Sequence, residues 1–327
     1  RDVERSRGLG DVYKRQVTGV KLAAMKVESL DRGWFFNRGY ESQAADKVTV
    51  DLPHTWNAAD AMFGNVNYYR GMSTYSRFIV VPSSENFKRV FLRVKAAQTV
   101  ADVYLDNHFV AQHKGGYTSF TVELTHLIRR GEKQKLDIRV SNAQTMEIAP
   151  ICGDFNIWGG LNRGVELLYT DDACIDPTFY GSFGVFFTQY NVSEKYAGLE
   201  MKALLSGTEM ALNDCSIEFS LLDAKHKVVW CKETSVSGKE ALVKMELNNP
   251  HLWDGVNDPY LYTGVVVLKR GGKEIDRREE HVGFRFYSAD PDKGFFLNGK
   301  PYSIHGCLLY TSTSPRDLST SRMPSSA

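Results

Sequence analysis

The sequence lacks the patterns that mark several large classes of protein. Its five cysteines include no Cys-x-x-Cys pair, which gives no indication of a zinc site or a redox motif. The formal net charge is only +1, which gives no sign of nucleic-acid binding. No hydrophobic run approaches the length of a transmembrane helix, and His-Glu-x-x-His, P-loop and Gly-x-Ser-x-Gly motifs are missing. We therefore predict no metal site in this chain and no nucleic-acid or membrane partner.

The composition is that of an ordinary globular protein. Of the 327 residues, 43% are hydrophobic and 24% are charged, and both fractions are close to the average for folded domains. A chain of this length is enough for two or three domains. Helical periodicity is nearly absent, apart from one short turn predicted near 125–129.

The two ends of the chain share one unusual feature. The peptide Asp-Val-Tyr-Lys-Arg-Gln at 11–16 can be encoded by GATGTGTATAAGAGACAG. The reverse complement of that DNA, read one base in, encodes Cys-Leu-Leu-Tyr-Thr-Ser, the sequence at 307–312. This DNA resembles the end of a common sequencing-library transposon, so we predict that 1–16 and 307–327 are adapter-like tails. The natural N-terminus is then not visible, and a periplasmic, secreted or cytoplasmic location stays open.

Short apolar segments recur at even spacing, with turn residues between them. The first series of predicted strands comprises 48–52, 75–81, 90–94, 101–105, 108–111, 135–140 and 165–169. The second series comprises 199–205, 216–222, 228–232, 241–247, 260–269 and 274–281. The strand pattern pauses around Asp176-Pro177, which predicts a domain boundary there, followed by a loop over 179–190. Regular short strands with turn signals predict an all-β protein of two sandwiches.

Polar and aromatic residues concentrate in the loop Gly153–Arg163, which precedes an apolar strand. Its Gly-Gly pair suits a backbone that bends sharply before it pairs with a neighbouring strand. Such a loop at the mouth of a β-domain is a usual place for a binding site. The alternative is a structural loop whose asparagines cap their own turns.

Several motifs in this chain resemble those of glycoside hydrolase family 2, the family of β-galactosidases, β-glucuronidases and β-mannosidases. The loop carries the family pattern of two polar positions, a Trp, a small-residue turn and an Arg. The matching residues are Asp154, Asn156, Trp158, Gly159, Gly160 and Arg163. The segments Leu-Pro-His-Thr-Trp at 52–56 and Phe-Leu-Asn-Gly-Lys-Pro at 296–301 are similar to further family signatures. We expect His54 and Trp56 to be packing residues, because Trp usually anchors a core.

The resemblance implies a set of sugar-contacting residues. In the β-galactosidase branch the second acidic position of the loop touches both the sugar and a bound cation. Here that position holds Asn156, whose neutral amide can bond a hydroxyl but is a poorer cation ligand than a carboxylate. The resemblance places a second sugar-site residue at Asn65, with Asn67 as the alternative, and assigns the shaping of the loop to Asp154 and Trp158. No cofactor is implied for this chain, although a Na or Mg cation is implied for the full-length enzyme.

The resemblance also implies a domain order and an activity. The expected domains are a jelly-roll sugar-binding sandwich over 17–175, an immunoglobulin-like sandwich over 176–283, and a hairpin over 284–306 that leads into a catalytic (β/α)8 barrel. In the family the two catalytic glutamates lie in that barrel, beyond Gly306, so we expect no catalytic residue in this chain and no activity from it alone.

The predicted parent protein is a retaining β-glycosidase with a carbohydrate substrate and, at full length, a homo-oligomeric assembly. We place β-galactosidase first, with β-glucuronidase and β-mannosidase as alternatives within the family. A hypothesis from a different class is a non-catalytic carbohydrate-binding or adhesive protein made of two sandwiches.

Overall fold

The computed structural model describes residues 25–39, 48–58, 60, 68–83, 86–148 and 157–304. The first ten strands are β1 (Lys26–Ser29), β2 (Trp34–Arg38), β3 (Val48–Val50), β4 (Met72–Val80), β5 (Arg89–Val94), β6 (Val100–Leu105), β7 (His108–Lys114), β8 (Phe120–Glu123), β9 (Lys133–Ser141) and β10 (Val165–Thr170). They form a six-stranded sheet in the order β3-β2-β4-β9-β6-β7 and a four-stranded sheet in the order β1-β10-β5-β8. These two sheets make the first sandwich.

The second half of the chain repeats this architecture with different connections. Its strands are β11 (Cys174–Ile175), β12 (Val185–Tyr190), β13 (Tyr196–Ser206), β14 (Cys215–Leu222), β15 (Val228–Ser235), β16 (Glu240–Asn248), β17 (Tyr262–Arg270) and β18 (Lys273–Val282). One sheet has the order β11-β13-β12, with β16 also paired to β13, and the other has the order β15-β14-β17-β18. A last small sheet contains β19 (Tyr287–Asp290), β20 (Gly294–Leu297) and β21 (Lys300–Pro301). The all-β prediction of a jelly-roll sandwich followed by an immunoglobulin-like sandwich is confirmed.

Two short helical segments interrupt the second half. A 3-10 turn spans Phe179–Gly181, and a short helix, α1, spans Glu209–Asn213. The side chain of Thr208 accepts a hydrogen bond from the Ala211 amide and caps α1. No helix among the described residues is long and apolar enough to span a membrane.

The core of the first sandwich follows the alternation in the sequence. In β6 every second residue is buried, and the same pattern runs through the first half of β4. Trp34 and Tyr75 are both fully buried and meet edge to face, with ring centroids 6.5 Å apart. Period-two burial is what allowed these strands to be predicted from sequence.

Two strands depart from that alternation. All six residues of β10 are buried, because each of its faces is covered. Leu167 lies in the main core, whereas Leu168 packs on the opposite face with Met25, Phe91 and Cys174. The prediction of a loop over 179–190 is wrong for its second half, where β12 forms although most of its residues are only half-buried.

One compact unit, made of the described residues up to 188 together with 199–245 and 262–282, contains the first sandwich and most of the strands of the second, and an ion pair at their junction is almost completely buried. Asp276 and Arg278 are 1% and 0% exposed, and Arg278 Nη1 donates to Asp276 Oδ1. Asp276 Oδ2 accepts from the Ile175 amide at 2.8 Å, and Arg278 Nε donates to the Phe183 carbonyl at 3.2 Å. These backbone contacts tie β18 to the segment that joins the two sandwiches.

Breaking this pair should be costly. Arg278→Met leaves the Asp276 carboxylate buried without its cation, so we expect the free energy of unfolding to fall by about 3–5 kcal/mol in urea denaturation. The double variant Asp276→Asn with Arg278→Met should recover a large part of that loss, because it buries no charge and retains an oxygen for the Ile175 amide.

The matched control is the exposed pair Arg129–Glu132, whose side chains are 54% and 61% exposed. Glu132→Gln should change the free energy of unfolding by less than about 1 kcal/mol. Equal losses for Arg278→Met and for the double variant would show that the buried charge is not the source of the effect.

Candidate functional site

Two segments that carry predicted site residues, 61–67 and 151–156, fall outside the described residues. They contain Asn65, its alternative Asn67, Asp154 and Asn156, and the roles of these residues stay predictions. Trp158 is described, and its side chain is 37% exposed. The residues that flank both segments are also described, and they show where each segment starts and returns.

The flanks of the two segments meet directly. The Tyr68 hydroxyl, just after segment 61–67, donates to the Ile157 carbonyl, just after segment 151–156, at 2.5 Å. Burial raises the pKa of Tyr68, so the hydroxyl is protonated at neutral pH and can act as this donor. The two segments that carry the predicted sugar-contacting residues therefore return to the same point on the sandwich.

Asn57 bonds to the flanks of both segments and is completely buried. Its Oδ1 accepts from the Gly159 amide at 2.8 Å and from Asn142 Nδ2 at 3.1 Å. Its Nδ2 donates to Asp60 Oδ2 at 2.7 Å and to the Tyr69 carbonyl at 2.9 Å. A primary amide has two donors and two acceptor sites, so the hydrogen-bonding capacity of Asn57 is fully used.

Asn142, at the end of β9, extends the network and is also completely buried. Its Nδ2 donates to the Ile157 carbonyl at 3.0 Å, and its Oδ1 accepts from the Gly71 amide at 2.9 Å. Asp60 completes the group, because its Oδ2 also accepts from the Tyr69 amide at 3.1 Å. We call Asn57, Asp60 and Asn142 the loop anchor, since their partners are mostly backbone groups at the flanks of the two segments.

The Gly-Gly pair explains how the second segment fits over the anchor. A Cβ atom on Gly159 would lie 2.0 Å from Trp56 Cζ2, and one on Gly160 would lie 2.4 Å from the His54 carbonyl oxygen. Gly160 also has a φ of +134°, which disfavours other residues. The Trp56 amide donates to the Gly159 carbonyl at 3.3 Å, and the His54 amide donates to the Leu161 carbonyl at 2.9 Å. The small-residue turn is therefore required by close contact between two backbones.

The packing prediction for Trp56 and His54 is confirmed. Trp56 is 6% exposed and stacks on Phe36, with ring centroids 6.1 Å apart. His54 is half-buried, and its Nδ1 lies 2.7 Å from the Tyr75 hydroxyl. Burial lowers the pKa of His54, so the imidazole is neutral at pH 7.

Trp158 differs from Trp56 in its environment. Its carbonyl accepts from Asn162 Nδ2 at 3.2 Å, which holds the backbone, while the indole keeps a substantial exposed surface. An exposed indole beside two polar segments offers an apolar face to a ligand. The contribution of Trp158 to sugar binding nevertheless stays a prediction.

The hydrogen bonds of the loop anchor are used within the protein. Asn57 and Asn142 are neutral amides whose hydrogen bonds go to other anchor residues and to the backbone. No cluster of three or more His, Cys, Asp or Glu side chains suited to a metal ion occurs within the described ranges. The loop anchor could not be predicted from the sequence. The only hint of it was Asn57 directly after the Leu-Pro-His-Thr-Trp signature, and nothing in the sequence around Asn142 marks that residue.

Removing the Asn142 amide should loosen the flanks of both segments. Asn142→Ala leaves the Gly71 amide without its partner and removes one of the two donors to the Ile157 carbonyl, which keeps the Tyr68 hydroxyl. A buried donor left unpaired costs about 1–3 kcal/mol, so we expect the free energy of unfolding to fall by about that amount and hydrogen exchange at the Gly71 amide to accelerate. Asn248→Ala, at an exposed strand end, should change stability by no more than about 0.5 kcal/mol. Wild-type protection of Gly71 in Asn142→Ala would rule out this role.

The buried imidazole of His54 predicts a pH dependence. Its pKa is lowered from 6.5 by burial, so the unfolded chain binds this proton more readily than the folded one. The stabilising contribution is then complete above pH 6.5 and is lost as the pH falls below that value. Between about pH 7.5 and about pH 5.5, the unfolding midpoint of the wild type should fall more than that of His54→Asn. A pH profile of His54→Asn identical to that of the wild type would contradict the assignment.

Comparisons with known proteins agree with the fold and with the position of the loop. The family model described as glycosyl hydrolases family 2, sugar binding domain, matches residues 34–171. The model described as glycosyl hydrolases family 2 matches residues 184–285. The two matched ranges together cover well over half of the chain.

Individual relatives carry two different activity names. A beta-glucuronidase of Bacteroides fragilis is 37% identical over 309 residues, which are 92% of this chain and 44% of that protein. A beta-galactosidase of Bacteroides ovatus is 28% identical over 302 residues, which are 85% of this chain and 34% of that protein.

The same relationship holds in three dimensions. The solved structure of Bacteroides uniformis beta-glucuronidase 2, covalently bound to cyclophellitol-6-carboxylate aziridine, has a TM-score of 0.78 at 28% identity and covers 86% of this chain and 35% of that one. This chain therefore spans less than half of the length of these relatives. The two family matches, the shared loop signature and the common fold show that the chain belongs to glycosyl hydrolases family 2.

Proposed function

We propose that this chain is part of a retaining family 2 glycosidase that hydrolyses terminal β-D-glucuronides. The observation that carries the proposal is the 37% identity to a beta-glucuronidase across 92% of the chain, against 28% to a beta-galactosidase. This proposal reverses the order of the two activities that the sequence motifs alone suggested. Those motifs are shared by both branches, whereas the overall identity favours the glucuronidase branch.

The identity of residue 156 supports the same choice. A glucuronide carries a carboxylate at C5 of the sugar, and an Asp in the loop would repel it. Asn156 has no charge, and its amide can donate a hydrogen bond to a carboxylate or to a hydroxyl. Asn in place of Asp at position 156 weakens a cation site but is compatible with a uronic acid substrate.

The role proposed for this part of the protein is to hold the substrate. Retaining glycosidases use two carboxylates about 5–5.5 Å apart, one as the acid/base and one as the nucleophile. One close carboxylate pair in the described ranges is Glu218 and Glu233, which share Lys269 at 2.7 and 2.9 Å. Hydrogen bonds from Ser216 and then Lys269 lower the pKa of Glu233, so it stays ionised and cannot serve as a general acid. We therefore assign the catalytic carboxylates to a part of the longer protein that this chain does not include.

In this proposal the loop anchor fixes the segments that carry Asn65 and Asn156 against the sandwich. Their amides would bond the sugar, while Asp154 and Trp158 shape the loop around it. A rigid base reduces the conformational entropy that the loops lose on binding, which strengthens substrate positioning.

The test is to recover the source DNA, read the natural frame past the codon for Gly306, express its product and assay p-nitrophenyl β-D-glucuronide, β-D-galactoside and β-D-mannoside. We expect kcat/KM to be highest for the glucuronide. Asn156→Asp should lower kcat/KM for the glucuronide by about tenfold or more, equivalent to about 1.4 kcal/mol, with a smaller loss for the galactoside. Asn248→Asp, on an exposed strand end, is the matched change of charge and should leave the ratio of the two unaltered.

Two outcomes would overturn the proposal. A product that prefers the galactoside would return the assignment to the β-galactosidase branch. A natural frame that ends without further sequence and gives no hydrolysis would favour the carbohydrate-binding hypothesis. The 327-residue chain alone should show no hydrolysis above background in the same assays.

A further inference from the structure

A groove of about 630 Å³ lies on the compact unit described above, and none of the loop-anchor residues lines it. One wall is formed by the end of β7 and by residues 118–122, and the other by residues 176–181. Its volume is within the range of about 300–1,000 Å³ that is usual for small-molecule sites. No function described above uses this groove.

The two walls are fixed to each other. Ser119 Oγ donates to the Gly181 carbonyl at 2.9 Å, and a Cβ atom on Gly181 would lie 2.0 Å from the Ser119 carbonyl oxygen. Beneath them, Arg93 is 2% exposed; its Nε donates to Thr121 Oγ1 at 3.1 Å and its Nη2 to the Ser182 carbonyl at 3.0 Å. The groove is therefore built before any ligand arrives, which reduces the entropy cost of binding.

Two aromatic rings stand at the rim without being buried. Phe179 is 44% exposed and Tyr180 is 89% exposed, and their rings meet edge to face with centroids 4.9 Å apart. Tyr180 has a φ of 46° and a ψ of 33°, in the left-handed region that costs free energy for any residue with a side chain. Neither burial nor packing of the ring in the core offsets this cost. Strained residues of this kind cluster at ligand sites, where the conformation presents a side chain to a partner.

The interior of the groove supplies polar groups of low charge. The His113 ring stacks on Phe120, with centroids 4.4 Å apart, and its Nε2 lies 3.3 Å from Thr118 Oγ1. Burial lowers the pKa of His113, against a smaller effect of its hydrogen bond with Gly115, so the ring is neutral at pH 7. Asp176 accepts from the Thr178 hydroxyl at 2.6 Å and brings the one carboxylate among the lining residues.

We propose that this groove binds a neutral pyranose unit of a β-linked oligosaccharide. A pyranose ring has one apolar face of C–H groups and a rim of hydroxyls. The exposed Tyr180 and Phe179 rings match the face, and the groups from Thr118, His113 and Asp176 match the rim. A uronic acid is disfavoured, because its carboxylate would lie near Asp176 without a cation among the lining residues. The proposal does not depend on which glycoside the longer protein hydrolyses.

The test is isothermal titration calorimetry of the 327-residue chain with cellotetraose, xylotetraose, β-1,4-mannotetraose and β-1,4-galactotetraose, and with β-1,4-tetramannuronate as the charged probe of the same linkage. We expect at least one neutral tetrasaccharide to bind with a Kd of about 1 mM or tighter, and tetramannuronate to bind at least about tenfold more weakly than that neutral probe. Tyr180→Ala should weaken the neutral ligand by about tenfold or more, which corresponds to about 1.4 kcal/mol.

Two further variants separate binding from folding. Tyr180→Gly removes the ring and also relieves the left-handed backbone, so its thermal midpoint should not fall below that of the wild type although binding is lost. Tyr287→Ala removes a tyrosine that is 70% exposed elsewhere on the chain and should bind as the wild type does. The proposal is overturned if no neutral tetrasaccharide binds with a Kd of about 1 mM or tighter, if Tyr180→Ala and Tyr180→Gly retain wild-type affinity, or if tetramannuronate binds more tightly than all neutral probes.

Discussion

The rest of the site depends on one buried amide, the side chain of Asn57. With all its donors and acceptors engaged, it fixes the Tyr69 carbonyl on one side and the Gly159 amide on the other. An unpaired amide in that position would cost free energy that few other contacts could offset. The amide therefore fixes the flanks of the two segments relative to each other. Gly159 is a consequence of the same closeness, since no larger residue fits between Asn142 of the anchor and Trp56.

The protein uses two different buried polar arrangements for two purposes. At the junction of the sandwiches, Asp276 and Arg278 form a charged pair whose desolvation is offset only when both partners are present. Under the loops, the two amides of Asn57 and Asn142 carry no charge, and the single carboxylate of Asp60 accepts from Asn57 Nδ2 and from the Tyr69 amide. The charged pair ties β18 to Ile175 and Phe183. The amides instead bond to main-chain groups at the flanks of the two segments.

Much of the fold could be predicted from sequence because burial with period two leaves a direct record, as in β6 and the first half of β4. The record fails where a strand is covered on both faces, as in β10, or is half-exposed along its length, as in β12. The family resemblance supplied the order of the sandwiches and the importance of the 153–163 loop. Neither route could find Asn142, Asp276 or Arg278. Each of them has a hydrogen-bond partner that lies between 71 and 103 positions away in the sequence: Gly71 for Asn142, and Ile175 for Asp276 and Arg278. One polar residue in a sequence pattern gives no sign of such a partner.

The anchor contacts are made mainly to main-chain groups, and this has an evolutionary consequence. The carbonyls of Tyr69 and Ile157 and the amides of Gly71 and Gly159 exist whatever side chains the neighbouring loops carry. Mutations within 61–67 and 151–156 can therefore accumulate without removing the hydrogen bonds at their bases. A scaffold of this kind therefore lets the sequence of the two segments change while the fold at their flanks is retained.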